Sequence, residues 1–236
     1  MEAGTGNTIV IIPSYNEART IGKIVKDIVN MALSVLVVDD GSSDYTEREA
    51  LDHGAMVIRH TDNLGKGVSV REGIEHVIDK TNYEWLIVMD GDGQHAPADI
   101  PAFLDATRTE DVDIVIGNRM MQTKTMPSSR YWTNKFTSWV LSKLCGQSIP
   151  DSQCGYRLIK VSALKGLKLT CDKYDIESEI IIEAAEENMK IKSVPIRTIY
   201  GEEVSSIHPV HDTLRFFGLV RKYHHRKKWT SNNKGN

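Results

Sequence analysis

The chain has 236 residues, 40% of them hydrophobic and 26% charged, and a formal net charge of −3; this is the make-up of a soluble globular protein with enough chain to bury a core. Its three cysteines, Cys145, Cys154 and Cys171, form no CxxC pair, which argues against a disulfide framework or a cysteine metal knot and fits a reducing cytoplasm. The opening MEAGTGNTIVIIP lacks a basic n-region, and no apolar run approaches the roughly 18 residues a membrane span requires, so neither a signal peptide nor a transmembrane helix is expected.

Strands and helices alternate through the first half. TIVII (8–12) reads as a strand and ARTIGKIVKDIVN (18–30) as a helix with Ile21, Ile24, Val25 and Ile28 on one face. SVLVV (34–38) is the next strand, followed by a helix from about Asp44, where Asp44 and Glu47 have capping-box spacing. AMVIR (55–59), a helix over 67–78, EWLIVM (84–89), a helix from about Pro97 and DIVIG (113–117) continue the rhythm. Strands this uniformly apolar, separated by helices, predict an α/β fold with a mostly parallel central sheet covered on both faces.

The second half changes character. A helix over about 131–145 leads into the loop SIPDSQCGYR, an apolar helix covers about 175–187, and KIKSVPIRTIY reads as one or two strands. Within DIESEIIIEAAEE, Glu177 and Glu179 read as the solvated face of the helix. A final basic helix is expected from about Pro209. Nothing in the composition separates this half as a second domain, so residues 1–212 are expected to form one unit and 213–236 a basic amphipathic tail.

The chemistry concentrates in DGDGQH (90–95), where Asp90 and Asp92 stand two residues apart at a strand end. An EF-hand loop beginning at Asp90 would need Gly at its sixth place and an acid at its twelfth; those places hold His95 and Pro101. Gly91, Gly93 and Ala96 spell a dinucleotide fingerprint, but its bare backbone N–H groups would face a pyrophosphate that the two carboxylates repel. A divalent ion held by both carboxylates, with phosphate oxygens filling its other positions, resolves that repulsion. A polar turn with aspartate caps is the competing reading.

Context favours the ion. PSYNE follows the first strand, DDGS the second, NLGKG the third and Asn118-Arg119 the fifth, so polar groups gather at one rim of the sheet, where open α/β sheets bind ligands. NLGKG lacks the Ser or Thr that a P-loop carries after its Lys. His95 reads as a loop histidine outside any metal set and Cys154 as a small packed residue.

PSYNE, VVDDGSSD, NLGKG, MDGDGQH, GNR and DSQCGYR, in that order, resemble the family-2 glycosyltransferases of the GT-A fold, and within them the polyprenyl-phosphate group that includes dolichol-phosphate mannose synthase. The likeness covers about residues 7–217. It implies that Pro13, Tyr15 and Glu17 line the pocket for the nucleotide base, that Asp39 or Asp40 bonds the base or ribose, and that Asp90, Asp92 and Gln94 hold Mg2+ or Mn2+ against the diphosphate of a GDP- or UDP-sugar. Lys66 joins the donor side, with a solvated ammonium as the alternative. Arg119 and Arg130 fall where relatives place arginines near phosphates, and Arg130 reads equally well as a surface charge. Arg157 closes DSQCGYR and is assigned with Asp92 and Asp151 to catalysis. Asp151 is the first candidate for a general base and Glu177 the second, although a lipid phosphate, already ionised at neutral pH, would need none. Some relatives have Lys where Ser206 stands. The implied activity is metal-dependent transfer of a sugar, with inversion, to a polyprenyl phosphate. A hydroxyl acceptor, a sugar nucleotidyltransferase and a silent nucleotide-sugar binder are the alternatives.

The tail bears on where this happens. Residues 213–236 carry seven Lys or Arg and no acid, and removing that +7 from −3 leaves −10 for residues 1–212. So acidic a body makes nucleic acid an unsuitable partner, whereas the tail suits an anionic surface. Phe216, Leu219, Val220 and Tyr223 fall at helical spacing and are expected to lie in a membrane interface, placing the protein peripherally at a cytoplasmic membrane face; packing of the stripe on the domain, with the last residues disordered, is the alternative. A membrane-anchoring partner subunit is compatible with this picture.

Overall fold

The structure, a computed structural model, describes residues 2–109, 111–121, 126–173, 175–197, 199 and 215–223. Among them run seven strands: β1 (Thr8–Ser14), β2 (Ser34–Asp39), β3 (Met56–Arg59), β4 (Trp85–Val88), β5 (Ile114–Asn118), β6 (Arg157–Lys160) and β7 (Ile191–Pro195). The helices are α1 (Ile21–Val29), α2 (Thr46–Asp52), α3 (Lys66–Lys80), α4 (Ile100–Thr109), α5 (Ser128–Cys145), α6 (Val161–Leu164) and α7 (Ile176–Glu186), with a 3-10 turn over Pro97–Asp99 leading into α4. Residues 215–223 are also helical.

The strands form one sheet in the order β3-β2-β1-β4-β6-β5-β7. β1 pairs in parallel with β2 and β4, β2 with β3, and β5 with β7. Every residue of β1 is buried, and Ile9, Val10, Ile11 and Ile12 are wholly removed from water; a parallel sheet sandwiched by helices requires this. Helix α1 turns Ile21, Ile24, Val25 and Ile28 inward as its periodicity predicts. Helix α3 lies so close to the sheet that a Cβ on Gly73 would come within 2.7 Å of Ile11 Cγ2.

The α/β class and the positions of the first five strands along the chain match the sequence reading. The exception is β6, which lay hidden in what reads as the end of a loop. It inserts antiparallel between β4 and β5, with Arg157 opposite both Val88 and Ile116. Because β6 runs backwards, its leading loop, residues 151–156, arrives at the rim where its neighbours end.

Two further expectations are corrected. Glu177 and Glu179 are buried, because α7 is covered on all sides rather than along one stripe: its residues from Ile176 to Ala184 are all buried. The tail stripe turns inward as well. Phe216, Leu219 and Tyr223 join the hydrophobic core, and the Tyr223 hydroxyl donates to Glu183 of α7. A nearby apolar body is a better solvent for these rings than a bilayer edge. Ser206 and most of the run from 198 to 214 lie outside the described residues.

The start of α3 is pinned to residues 171–173. Gly67 N donates to Asp172 O at 3.0 Å, and a Cβ on Gly67 would meet Cys171 O at 2.3 Å. Gly67→Ala is therefore expected to cost about 1–3 kcal/mol through overpacking against backbone. A lowered midpoint in urea unfolding measures it; an unchanged midpoint would contradict this packing.

Candidate active site

The rim loops are tied to one another by short-range bonds. Asp40 N donates to Ser14 O at 2.8 Å, continuing the β1–β2 ladder into the loops. Asn16, at φ 59, places its N–H on Ser42 Oγ and accepts from Ser43 N. Thr20 Oγ1 donates to Gly91 O at 2.6 Å, fastening the segment after β1 to the DGDGQH turn. Gly91 itself packs so tightly that a Cβ would stand 2.6 Å from Ser14 Oγ, and Gly93 adopts φ +76, a conformation glycine takes without strain. Within the turn, Asp92 Oδ1 accepts from Gln94 N at 2.9 Å.

The two aspartates after β2 do different jobs. Asp39 is fully buried and accepts from Ser42 N through Oδ1. Its Oδ2 has no hydrogen-bond partner among the described residues, with Arg59 Nε 3.8 Å away. A buried carboxylate oxygen in that condition is costly, and a donor from a bound base or ribose would relieve it. Asp40, by contrast, accepts from Leu64 N at 2.9 Å and Gly65 N at 2.8 Å. His60 stands behind it, with Nδ1 2.7 Å from Asp40 Oδ1 and Nε2 2.6 Å from Glu72 Oε2. Burial alone would lower the pKa of His60, but the hydrogen bonds to the two carboxylates outweigh it and raise it. An imidazolium donating on both sides thus holds Asp40, and Asp40 shapes NLGKG.

That shaping delivers Lys66. Gly65 takes φ +106, and the Lys66 ammonium sits 2.6 Å from Asp90 Oδ1 and 2.6 Å from Glu177 Oε1. Burial would lower the pKa of Lys66, but the charges of Asp90 and Glu177 more than offset it and raise it well above the ordinary value. Burial likewise works to raise that of Asp90, and Lys66 foremost among its neighbours holds it at about 2. Both groups are therefore ionised. Glu177 Oε2 is buried without a hydrogen-bond partner among the described residues.

Beside this niche lies a second ion pair. Arg119 grips Asp151 with a fork, Nε to Oδ2 and Nη2 to Oδ1 at 2.8 Å each, and adds its backbone N–H at 3.0 Å. Asp151 is wholly buried. Arg157 is buried too, and its guanidinium donates to the carbonyls of Cys154, Ser152 and Glu177; burial lowers its pKa from the usual arginine value. Arg157 thus stitches the 151–156 loop to α7. Gly155 completes the wall: a Cβ there would reach Asp90 Oδ2 at 2.8 Å. His95 stacks on Tyr156 with centroids 5.1 Å apart, and burial pushes its pKa down to about 4, so it stays neutral.

The structure thus brings together Asp90, Lys66, Arg119, Asp151 and Arg157 from the sequence set. Pro13 lies buried at the end of β1, Tyr15 stays exposed, and Arg130 is half-buried on the first turn of α5. Lys66 is neither solvated nor free to wander; it supplies the positive charge that DGDGQH demands. Sequence reasoning missed His60, and it cast Glu177 as surface or base rather than as the partner of Lys66. The acids at 177, 179 and 183 do not share one helical face, which was the available sign that α7 has no single wet side.

A metal could fit. Among the described residues no cluster of three or more His, Cys, Asp and Glu could hold one. Asp90 and Asp92 would nevertheless supply, together with diphosphate oxygens, the hard-oxygen set that Mg2+ or Mn2+ accepts, with Asp90 Oδ1 also held 2.6 Å from the Lys66 ammonium.

Residues 9–167 match the family model described as Glycosyl transferase family 2. The chain is 31% identical over 216 residues to the UDP-N-acetylglucosamine–dolichyl-phosphate N-acetylglucosaminyltransferase of Methanococcus voltae, covering 82% of this chain and 86% of that one. It is 32% identical over 213 residues to the undecaprenyl-phosphate mannosyltransferase of Micrococcus luteus, covering 82% and 84%. Among solved structures, glucosyl-3-phosphoglycerate synthase from Mycobacterium tuberculosis, in complex with Mn2+, uridine diphosphate and glucosyl-3-phosphoglycerate, matches with a TM-score of 0.67. That match spans 92% of this chain and 78% of the other at 17% identity, so it speaks for the fold.

Two outcomes follow from the geometry. Asp151→Ala leaves the Arg119 guanidinium buried and unpaired, and is expected to cost about 3–5 kcal/mol in urea unfolding; a loss below about 1 kcal/mol would mean that the pair contributes little. His60 has a folded-state pKa above its unfolded value of about 6.5, so its stabilisation is complete below that value and fades as pH rises through the folded-state pKa. The stability gap between wild type and His60→Asn is expected to be about 1–3 kcal/mol at mildly acidic pH and to narrow in alkali. A gap that widens with pH would refute the imidazolium assignment.

Proposed function

The chain belongs to glycosyl transferase family 2 and has the GT-A fold, and from that premise we propose that this glycosyltransferase moves a sugar from a nucleoside diphosphate to a polyprenyl phosphate, with inversion. The names of the two relatives above support a lipid-phosphate acceptor. The observation that carries the reading is that both candidate bases are already engaged, Asp151 by the Arg119 fork and Glu177 Oε1 by Lys66. A site whose carboxylates are tied up suits an acceptor that arrives ionised, and a phosphate monoester with its second pKa near about 6 does.

The base and ribose of the donor would lie along Pro13, Tyr15, Glu17 and Asp39, whose Oδ2 offers a buried acceptor. Asp90 and Asp92, with Gln94 beside them, would hold Mg2+ or Mn2+, which supplies Lewis-acid stabilisation of the departing diphosphate. Arg130, at the amino end of α5, would add charge for a phosphate. An acceptor phosphate oxygen attacks the anomeric carbon on the face opposite the nucleotide; the bond to the diphosphate oxygen breaks, and the nucleoside diphosphate leaves with that electron pair. Because the phosphate brings an oxygen that is already an anion, the step transfers no proton. Gly155 keeps the space beside Asp90 clear of a side chain. The polyprenyl-phosphate acceptors in the relatives' names support a peripheral place at a membrane face, which we take to be the cytoplasmic one; among the described residues no helix is long and apolar enough to cross a membrane.

A hydroxyl acceptor remains the second reading, favoured by the unpartnered Glu177 Oε2. One assay separates them. Purified protein is incubated with GDP- and UDP-sugars, Mg2+ or Mn2+, and either a short polyprenyl phosphate or a sugar acceptor. Glycolipid product is expected, abolished by a chelator and reduced at least about a hundredfold by Asp92→Ala, the equivalent of losing some 3 kcal/mol of charge stabilisation. Product only with the sugar acceptor would replace the first reading by the second.

A further inference from the structure

Helix α5 is built inside out. Its buried face carries Asn134, Thr137 and Ser138 beside Leu141, while its outer face carries Trp132, Phe136 and Trp139, which are 64%, 48% and 59% exposed. A helix that merely covers a core shows the reverse pattern. The three rings stand at i, i+4 and i+7, so they form one ridge. Phe217, 44% exposed, extends the ridge onto the helical residues 215–223, with its ring centroid 6.2 Å from that of Phe136. Lys135 lies over the rings of Tyr131 and Trp132 at 5.6 and 5.5 Å from their centroids.

The two helical segments that carry this ridge bear charge of one sign. Residues 128–145 and 215–223 contain Arg130, Lys135, Lys143, Arg215, Arg221 and Lys222 and no acid, in a chain whose net charge is −3. Exposed Trp and Phe flanked by Lys and Arg are the mixture found where helices lie in a membrane interface, rings at the acyl boundary and cations at the headgroups. A second copy of this chain would bring the same cations against them and be repelled, whereas anionic lipid would neutralise them. The ridge also sits back to back with the candidate site. From the buried face of α5, Ser138 Oγ accepts from Ser152 N at 2.9 Å, and Ser152 adjoins Asp151, the partner of Arg119.

We infer that the aromatic ridge of α5, continued by Phe217, is the surface by which this protein docks on an anionic phospholipid bilayer. It takes the place of the inward-turned tail stripe. α5 lies flat on the headgroups without crossing, and its 18 residues span about 27 Å at roughly 1.5 Å per residue. The inference deepens the lipid-acceptor reading and rests on it for its biological sense, though the binding itself needs neither donor nor acceptor.

The test is flotation of the full chain with vesicles of phosphatidylcholine alone or mixed with phosphatidylglycerol, containing no polyprenyl phosphate. Wild type is expected to float with the mixed vesicles and to be released by salt. Trp132→Ala/Phe136→Ala/Trp139→Ala keeps a strong helix former at each exposed position and is expected to lose flotation at an unchanged unfolding midpoint. Lys135→Gln/Lys143→Gln is expected to weaken partition about fivefold per cation removed. Flotation of the triple variant equal to wild type would overturn the inference, as would a wild type that ignores anionic vesicles. A concentration-dependent dimer that the triple variant abolishes would also overturn it, assigning the ridge to a second copy. The two readings fail separately. Flotation through the ridge without any glycolipid product would leave the surface standing and sink the transfer reaction, whereas product from a protein that never needs the ridge would do the opposite.

Discussion

One ammonium holds the candidate site together. Lys66 leaves the start of α3, reaches past two glycines and sits between Asp90 at the end of β4 and Glu177 on α7. Without it two buried carboxylates would face each other, and removing one partner of a buried ion pair typically costs about 3–5 kcal/mol. The niche admits no additional atoms: a Cβ on Gly155 would strike Asp90, and one on Gly65 would stand 2.6 Å from Asp172 O. Four segments distant in sequence thus meet around one nitrogen. The first half of the chain, with its parallel strands, is locked to the second half through charge as well as through β6.

The arrangement has an electrostatic consequence. Arg119 and Asp151 cancel one another, and so in large part do His60 and Asp40. Around Asp90, one cation faces two carboxylates, with Asp92 nearby on the same turn. The niche is left with surplus negative charge, which favours a cation, and a nucleoside diphosphate would add still more. Asp39, with one buried oxygen lacking a partner, and Glu177, with another, are two of the places among the described residues where a hydrogen-bonding demand is unmet. Such demands mark where a ligand contributes more than it would at a solvated surface.

What was legible in the sequence was whatever depends on neighbours close in the chain. The apolar runs of β1, β2 and β4 and the inward stripe of α1 are period and composition, and both survive folding. The rim loops were legible because polar residues at the carboxyl ends of parallel strands have few other reasons to gather. The missing parts are long-range. RLIK reads as an ordinary fragment until β4 and β5 offer it two edges. Glu177 looks wet until Lys66, 111 positions earlier in the sequence, arrives to pair with it. His60 looks like the end of a strand until Asp40 and Glu72 flank it. Arg157, which the resemblance assigns to catalysis, donates to three backbone carbonyls that lie apart in the sequence.

Helix α5 shows why periodicity can mislead about which way an element faces. A helical pattern identifies faces, and the usual inference that the apolar one points inward assumes water outside. The interior here asks for Thr137 and Ser138, because the loop before β6 must be held by hydroxyls: Ser152 bonds both Ser138 and Thr137. Once that polar face is committed to the loop, the rings at 132, 136 and 139 have nowhere to go but out. The same rotation of the helix that secures the loop therefore creates the ridge. Tilting α5 out of place would break the hydroxyl bonds to Ser152 and loosen Asp151, and with it Arg119. The exposed ridge and the site are thus opposite faces of one packing decision.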